Sequence, residues 1–145
     1  MENHNIRRAT GPDAVELTDC IKAAYARYSG QIEDLPDVSG GVAEDISNNL
    51  VWVAEIGGRV LGGLIIILDD RQAKLANIAV HPDASGKGLG RQLLEVGVAE
   101  CRSRNIEALN LVTHAQMPEN LVIYQKLGWQ ENGRQGNSVF MTRKL

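Results

Sequence analysis

A glycine-rich turn between an apolar strand and a helix constrains this chain more than any other stretch. The apolar residues from Leu75 to Val80 predict a strand, and Pro82 ends it because proline has no N–H for a ladder. Three glycines follow, at positions 86, 88 and 90. They let the backbone turn tightly and let a ligand approach the main chain closely. A helix is expected next, so the stretch predicts a strand, a turn and a helix N-terminus.

The start of that helix predicts an anion site. The first N–H groups of a helix have no partners within it, and together with the helix dipole they favour a phosphate. Lys87 and Arg91 add positive charge at the same turn. The turn does not match the nucleoside triphosphate loop, because Gly88 rather than Ser or Thr follows the lysine. It does not match the dinucleotide fingerprint either, because Gly86, Gly88 and Gly90 are evenly spaced.

The turn and its flanks resemble the acetyl-CoA motif of the GNAT (general N-acetyltransferase) superfamily. That motif reads Arg or Gln, two variable residues, Gly, one variable residue, then Gly or Ala. Gly88 and Gly90 take the two small positions, whereas Ser85 replaces the usual Arg or Gln. The alternative is an ordinary turn, although such turns rarely combine three glycines with a cation. The resemblance implies that this stretch binds the diphosphate of coenzyme A through Ser85, Gly86, Lys87, Gly88, Leu89, Gly90 and Arg91.

The resemblance also gives the preceding strand a binding role. In the family this strand bulges and separates from its neighbour, and its backbone groups pair with the pantetheine arm. A bulge leaves N–H and C=O groups that a ligand can satisfy. The implied positions are Ile78, Ala79 and Val80, and an amide near Val80 would polarise the thioester carbonyl.

A second segment, Asn120–Trp129, resembles the family's other CoA-contacting segment, which commonly ends Leu-Tyr-x-x-x-Gly-Phe. Tyr124 takes the tyrosine position, and Gly128 and Trp129 follow at the expected spacing. In the family this tyrosine lies near the thioester sulfur and protonates the leaving thiolate. A phenol of pKa about 10 beside a thiol of pKa about 8.5 suits that task. Packing on an amphipathic helix is the alternative role for Tyr124.

Asn120 precedes Tyr124 by four residues and therefore lies on the same helix face. Two roles stay open for it. Its amide contacts the pantetheine arm, or the residue caps the helix N-terminus. The commoner family pattern places the asparagine seven residues before the tyrosine, where this chain has Met117.

The acceptor of the amine proton is the least defined part of the predicted site. Many relatives carry a carboxylate on the strand before the turn, where this chain has Ala76 and Asn77. His114 is a candidate base because an unperturbed histidine titrates near pH ~6.5. Glu33, Asp34 and a chain of water molecules are the other candidates.

The residues that contact the acceptor amine are expected near the end of the first predicted helix and in the loop after it. Glu33 and Asp34 lie in a loop that borders the acceptor site in the family, and their charge would attract a cationic amine. Tyr25 and Tyr28 either line that mouth or pack in the core. A small-molecule amine and a peptide N-terminus both fit as acceptors.

Composition bounds the class of protein. With 145 residues and 43% hydrophobic content, the chain has the size and composition of one globular domain. A formal charge of −3 argues against a general nucleic-acid binder, and no apolar run reaches the ~20 residues of a membrane helix. We expect a cytoplasmic protein without a signal peptide or metal site, in which Cys20 and Cys101 are buried free thiols.

The order of the predicted elements gives the fold class. Helices are expected at residues 14–28, 42–49, 88–104 and 120–126, and strands at 6–9, 50–55, 60–68, 74–80, 108–113, 129–134 and 138–143. This predicts an α/β (α+β) fold: a GNAT-like mixed, largely antiparallel sheet of six to seven strands, flanked by about four helices, in one domain over residues 1–145.

The predicted function is transfer of an acetyl group from acetyl-CoA to a primary amine by direct attack, without a metal. A non-catalytic acyl-CoA sensor of the same fold is the main alternative, and a phosphate-binding structural domain is a second. The sequence fits a monomer and a homodimer equally well.

Overall fold

The computed structural model describes residues 4–26 and 41–145. In these residues seven strands form one sheet in the order β1-β2-β3-β4-β5-β7-β6, and four α-helices flank it. The strands are β1 (His4–Arg8), β2 (Leu50–Ile56), β3 (Arg59–Asp69), β4 (Gln72–Val80), β5 (Ala108–His114), β6 (Gln130–Gln135) and β7 (Ser138–Lys144). The helices are α1 (Ala14–Tyr25), α2 (Val42–Asn48), α3 (Leu89–Ser103) and α4 (Pro118–Lys126). Among the strands described here, only β4 and β5 pair in parallel, which confirms the predicted mixed, largely antiparallel sheet.

The sheet separates two apolar clusters. Successive residues of a strand point to opposite faces; on β2, Trp52 and Ala54 join one cluster, and Val51 and Val53 join the other. The first cluster packs under α3 and the second under α1. Cys20 and Cys101 are buried and free, as expected, one in each cluster.

The parallel pairing of β4 and β5 is short. It joins residues 72–74 of β4 to residues 108–110 of β5. β4 continues to Val80 and β5 to His114 without further pairing to each other. The expected separation of β4 from its neighbour is therefore confirmed.

A bulge accompanies this separation, as the resemblance implies for this strand. Ile65 pairs with Asn77 and Ile66 pairs with Leu75, so Ala76 is an extra residue on β4. The bulge lies just before Ile78–Val80, the stretch whose backbone is expected to contact the pantetheine arm. An extra residue reverses the alternation of the strand. Leu75 and Ile78, three residues apart, consequently pack on the same cluster.

The start of α4 corrects one prediction. The helix begins at Pro118 and its N-cap position is Met117, so Asn120 lies within the first turn. Proline is favoured there because its missing N–H would have no helical partner. The N-cap interpretation of Asn120 is therefore wrong, and its side chain is available to the cavities described below.

The start of α1 differs in detail from the prediction. Asp13 holds the N-cap position of α1, as predicted, but its side chain makes no capping bond to that helix. Asp13 is also the last residue of a 3₁₀ turn, Gly11–Asp13, whose N-cap position is Thr10. The Asp13 carboxylate accepts the Thr10 backbone N–H at 2.7 Å and the Arg7 guanidinium at 2.7 and 2.9 Å. Arg7 also pairs with Glu55 of β2, so this cluster fixes the start of the helix that ends at Tyr25.

The charge of Asp13 makes this cluster dependent on pH. The hydrogen bonds from Arg7 hold the pKa of the Asp13 carboxyl far below its usual range, although burial opposes them. A depressed pKa in the folded state stabilises the fold above the unfolded pKa of about 4, and that contribution is lost as the pH falls further.

Asp13→Asn is expected to lower the free energy of unfolding by about 2 kcal/mol at neutral pH, because it removes charged hydrogen bonds. The difference from wild type should shrink toward about pH 3, because below the unfolded pKa of about 4 the unfolded wild-type chain gains a proton on this carboxylate that the folded chain does not. Urea unfolding at both pH values measures it. Asp19→Asn, at an exposed residue of α1, is the control and should change stability by no more than about 0.5 kcal/mol. An Asp13→Asn deficit that stayed constant with pH would contradict the assignment.

Candidate active site

A large cavity opens where β4 leaves β5. Its volume is about 760 Å³, and it is bordered by the end of β4, the glycine-rich turn, the start of α3 and one side of α4. Every predicted cofactor residue except Lys87 lines it: Ile78, Ala79, Val80, Ser85, Gly86, Gly88, Leu89, Gly90, Arg91, Asn120 and Tyr124. The two sequence segments that carry the resemblance are thus two walls of one cavity.

The conformation of the turn explains two of its three glycines. Gly86 and Gly88 have φ angles of +78° and +72°, in the left-handed region that side chains disfavour. Gly88 is the N-cap residue of α3, so the first amides of that helix lie directly beside the turn. Gly90 has no such requirement, because a Cβ there would make ordinary contacts of 3.6 Å with Val80 and 3.8 Å with Ile78.

A smaller cavity of about 240 Å³ lies between the separated parts of β4 and β5. Polar residues of its lining come from three strands, β4, β5 and β7, and from the β6–β7 turn: Asn77, Thr113, His114, Asn137 and Ser138. Four residues line both this cavity and the larger one, namely Tyr25, Ile78, Asn120 and Tyr124. The two cavities therefore meet at the side chain predicted as the proton donor.

Tyr124 is a neutral phenol at this junction. Burial raises its pKa, because the phenolate would lose its hydration, and nearby Tyr25 raises it further. The ring stands edge-to-face with that of Trp129, with centroids 5.7 Å apart. A phenol that keeps its proton can donate it, which is the state that an acid requires.

Tyr25 reaches the same junction from the end of α1. Its hydroxyl lies 3.5 Å from the carbonyl oxygen of Ile78, in the separated part of β4. The predicted acceptor residues Tyr28, Glu33 and Asp34 lie outside the described residues.

His114 ends β5 and is almost fully buried, at 7% exposure. Its Nδ1 accepts the backbone N–H of Gln116 at 3.0 Å. The neutral ring then carries its proton on Nε2, because Nδ1 uses its lone pair in that bond. Proton uptake at Nδ1 would break the contact with Gln116.

Asn120 faces both cavities from the first turn of α4. Its side-chain nitrogen lies 3.7 Å from the sulfur of Met117. The amide is thus beside Tyr124, on the helix face that the spacing of four residues predicts.

A comparison with protein families decides the affiliation. The family model of the acetyltransferase (GNAT) domain matches residues 47–131, which is more than half of the chain. The chain belongs to the GNAT family. The matched range holds the turn, the separated strands and α4, so it includes most of the site described above.

Individual relatives agree with this affiliation. The [ribosomal protein bS18]-alanine N-acetyltransferase of Salmonella typhimurium is 39% identical to this GNAT chain over 66 residues, which are 46% of this chain and 43% of that protein. The match thus spans less than half the length of that relative.

Solved structures share the GNAT fold. The PaiA N-acetyltransferase from Thermoplasma acidophilum, in complex with coenzyme A, superposes with a TM-score of 0.88 at 17% identity and covers 99% of both chains. The ribosomal-protein-S18-alanine N-acetyltransferase from Escherichia coli gives a TM-score of 0.82 at 23% identity, over 98% of this chain and 94% of that one. At these identities the likeness shows the fold, and it confirms the predicted architecture.

Some residues at the site of this GNAT domain were missed by the sequence reasoning. Thr113, Asn137 and Ser138 line the smaller cavity, and they meet only because β5 pairs with β7. Lys126 and Ile123 line the larger one, from the same helix as Tyr124. Helical spacing along α4 could have found these two, since they lie three residues apart and such neighbours share a helix face.

Metal and membrane features can be assessed over residues 4–26 and 41–145. In that part of the chain no group of three or more His, Cys, Asp or Glu side chains is placed to hold a metal ion. None of the helices described there is long and apolar enough to span a membrane.

Proposed function

We propose that this chain is an N-acetyltransferase that moves the acetyl group of acetyl-CoA to a primary amine. The supporting observation is the meeting of two cavities at Tyr124, one bordered by an anion-binding turn and one lined by neutral polar groups. The relatives support it, since the Salmonella protein is an alanine N-acetyltransferase and the Thermoplasma structure holds coenzyme A.

The larger cavity suits an elongated acyl carrier. We propose that the amides from Ser85 to Arg91 bind its diphosphate, because a helix N-terminus favours an anion. The pantetheine arm would lie along Ile78–Val80, in place of the β5 strand that β4 no longer pairs with there. The thioester then reaches Tyr124 at the other end of the cavity.

The reaction is a direct transfer. The amine nitrogen enters from the smaller cavity and bonds to the carbonyl carbon, whose oxygen is stabilised by a backbone N–H near Val80. The carbon–sulfur bond breaks, and the thiolate takes the phenolic proton of Tyr124. The proton released by the amine passes by way of His114 and water to restore the phenol, so the products are the acetamide and free coenzyme A.

The acceptor is proposed to be an α-amino group, such as a peptide N-terminus. His114 is the proposed proton acceptor, but in the tautomer that the Gln116 bond favours Nε2 already carries a proton, so proton uptake requires Nδ1 to release the Gln116 N–H. A base that takes up a proton only with this rearrangement is better suited to an amine that is already partly neutral, because less of the amine then has to be deprotonated before it attacks. An α-amino group of pKa about 8 meets this condition at physiological pH, and a lysine of pKa about 10.4 does not.

A non-catalytic acyl-CoA sensor remains the second candidate. One observation favours it: among the residues that the structure describes, no Asp or Glu side chain lines either cavity. Three further points stay predictions: a cytoplasmic location, a single domain over residues 1–145, and a homodimer as one of two open oligomeric states.

Thiol release from acetyl-CoA in the presence of amines tests the function. We expect turnover with a peptide that has a free alanine N-terminus, and little with the same peptide blocked at its N-terminus and carrying a lysine. The kcat/KM for the free peptide should rise with pH around an apparent pKa of about 8. Binding of coenzyme A without thiol release from any amine would favour the sensor instead.

His114→Asn serves as the variant for the proton acceptor in this assay. The asparagine oxygen can accept the Gln116 N–H as Nδ1 does, but it cannot take a proton. We expect turnover to fall about tenfold or more if His114 acts as a base. Wild-type turnover in this variant would show that the proton leaves through water alone.

Gly88→Ala tests the anion site. Its φ of +72° makes the alanine strained, and the new Cβ adds bulk beside the amides that are proposed to bind the diphosphate. We expect the affinity for coenzyme A, measured by calorimetry, to fall about tenfold through weakened charged hydrogen bonds. Gly58→Ala is the matched control, because Gly58 has a φ of +81°, lies in the β2–β3 turn, and would place its new Cβ with nothing within 4 Å. Equal affinities of the two variants would contradict the site.

Tyr124→Phe tests the proton donor. Phenylalanine keeps a ring beside Trp129 and removes the phenolic proton. We expect kcat to fall about a hundredfold, with the dissociation constant of coenzyme A unchanged. The raised pKa of Tyr124 also predicts that wild-type kcat is not lost through phenol ionisation at pH values up to about 10. Unchanged turnover in the variant would remove Tyr124 as the acid.

A further inference from the structure

Trp129 is a buried residue that lies just after α4, a helix whose own residues are at most partly buried. All nine residues of α4 are described, and none of them is fully buried. Trp129 follows soon after the helix and is 1% exposed. Its indole Nε1–H donates to the carbonyl oxygen of Leu109 on β5 at 3.0 Å. This bond fastens the end of α4 to the central part of the sheet.

The end of α4 is a Schellman motif in which Tyr124 and Trp129 are partners. The Trp129 N–H donates to the Tyr124 carbonyl at 2.9 Å, and the Gly128 N–H donates to that of Gln125 at 3.1 Å. These are the two bonds of that motif, which is often accompanied by an apolar contact between the same two positions. Here the contact is the edge-to-face pair of rings, 5.7 Å apart and inclined by 65°. Trp129 therefore holds Tyr124 through both its backbone and its side chain.

The indole is itself held in place by Arg143 of β7. The guanidinium carbon lies 5.4 Å from the centroid of the Trp129 ring, within the range of a cation–π contact. Gly128 leaves room for this arrangement: its φ is +104°, and a Cβ there would lie 3.2 Å from Nε of Arg143. The ring thus has a hydrogen bond, a cation and the phenol of Tyr124 as neighbours, and little freedom to move.

We propose that Trp129 is a positioning residue that fixes the phenol of Tyr124 at the junction of the two cavities. The proposal rests on the proposed function, because it gives Tyr124 the role of proton donor. The edge-to-face contact with the indole sets the position of the phenol ring, and the Nε1–H bond to Leu109 sets the position of the indole. A proton donor needs a defined distance to the leaving sulfur, so a small displacement lowers kcat more than it lowers the affinity for the cofactor.

Two variants separate the contributions of the indole. Trp129→Phe keeps a ring against Tyr124 and removes the N–H, whereas Trp129→Leu removes both. We expect kcat for acetyl transfer to fall about tenfold in the first variant and further in the second, by loss of positioning. The dissociation constant of coenzyme A, measured by calorimetry, should stay within about twofold of wild type.

Trp52→Phe is the matched control. Trp52 is also buried, at 4% exposure, and Arg8 lies 5.4 Å from its ring centroid, but it lines neither cavity. The two tryptophans are the only ones in the chain. We expect the control to lower the melting temperature about as much as Trp129→Phe and to leave kcat unchanged. Equal kcat values in Trp129→Phe, Trp129→Leu and the control would overturn the proposal, and so would parallel losses of kcat and cofactor affinity.

A titration of the phenols separates this proposal from the proposed function. In wild type the phenol of Tyr124 should ionise at a higher pH than an ordinary tyrosine does, because its pKa is raised. Ultraviolet difference spectra follow that ionisation. Trp129→Leu should lower the apparent pKa of this phenol by opening it to water, and Tyr124→Phe identifies the signal by removing it. If wild type transfers no acetyl group but Trp129→Leu still moves this titration, the proposed function fails and the contact stands. An unmoved titration in Trp129→Leu overturns the positioning role whatever the activity.

Discussion

The site depends on a parallel pairing that stops after three residues. β4 and β5 are joined at residues 72–74 and 108–110, and beyond them each strand loses the other as a partner. Backbone N–H and C=O groups inside a protein need hydrogen-bond partners. The separation of two strands therefore costs free energy unless other groups bond to the N–H and C=O groups that it leaves unpaired. The hydroxyl of Tyr25, near the carbonyl of Ile78, lies at this opening. A ligand with amide groups along its length suits the rest, which is why the opening and the proposed pantetheine arm belong together.

The bulge at Ala76 changes which residues face this opening. It lets Leu75 and Ile78 both pack toward α3, although they are three positions apart. The buried Asn77 is brought to the smaller cavity in the same segment. One inserted residue thus supplies an apolar wall on one side of β4 and a polar group on the other.

Sequence reasoning predicted the parts of the site that local chemistry determines. Gly86 and Gly88 need left-handed backbone, and such positions are visible as glycines before a helix. The smaller cavity was beyond its reach, because Asn137 and Ser138 join Thr113 only through the order of β5 and β7 in the sheet. The position of the bulge could not be predicted for a related reason: no residue type marks Ala76, and its position follows from the register with β3. The start of α4 was misplaced because Asn120 is a favourable cap residue, whereas Pro118 fits the first turn better.

The spacing Tyr-x-x-x-Gly-Trp has a physical explanation in the Schellman motif at the end of α4. The motif joins the residue after the glycine to the residue four positions before that glycine, so the spacing itself brings Trp129 to Tyr124. A phenylalanine, which the family commonly has at this place, can make the ring contact but has no donor for the Leu109 carbonyl. Tryptophan adds that donor, and its hydrogen bond ties the ring to β5. The proposed acid is thereby connected to β5, the strand across the opening from β4, at a residue where the two strands are still paired.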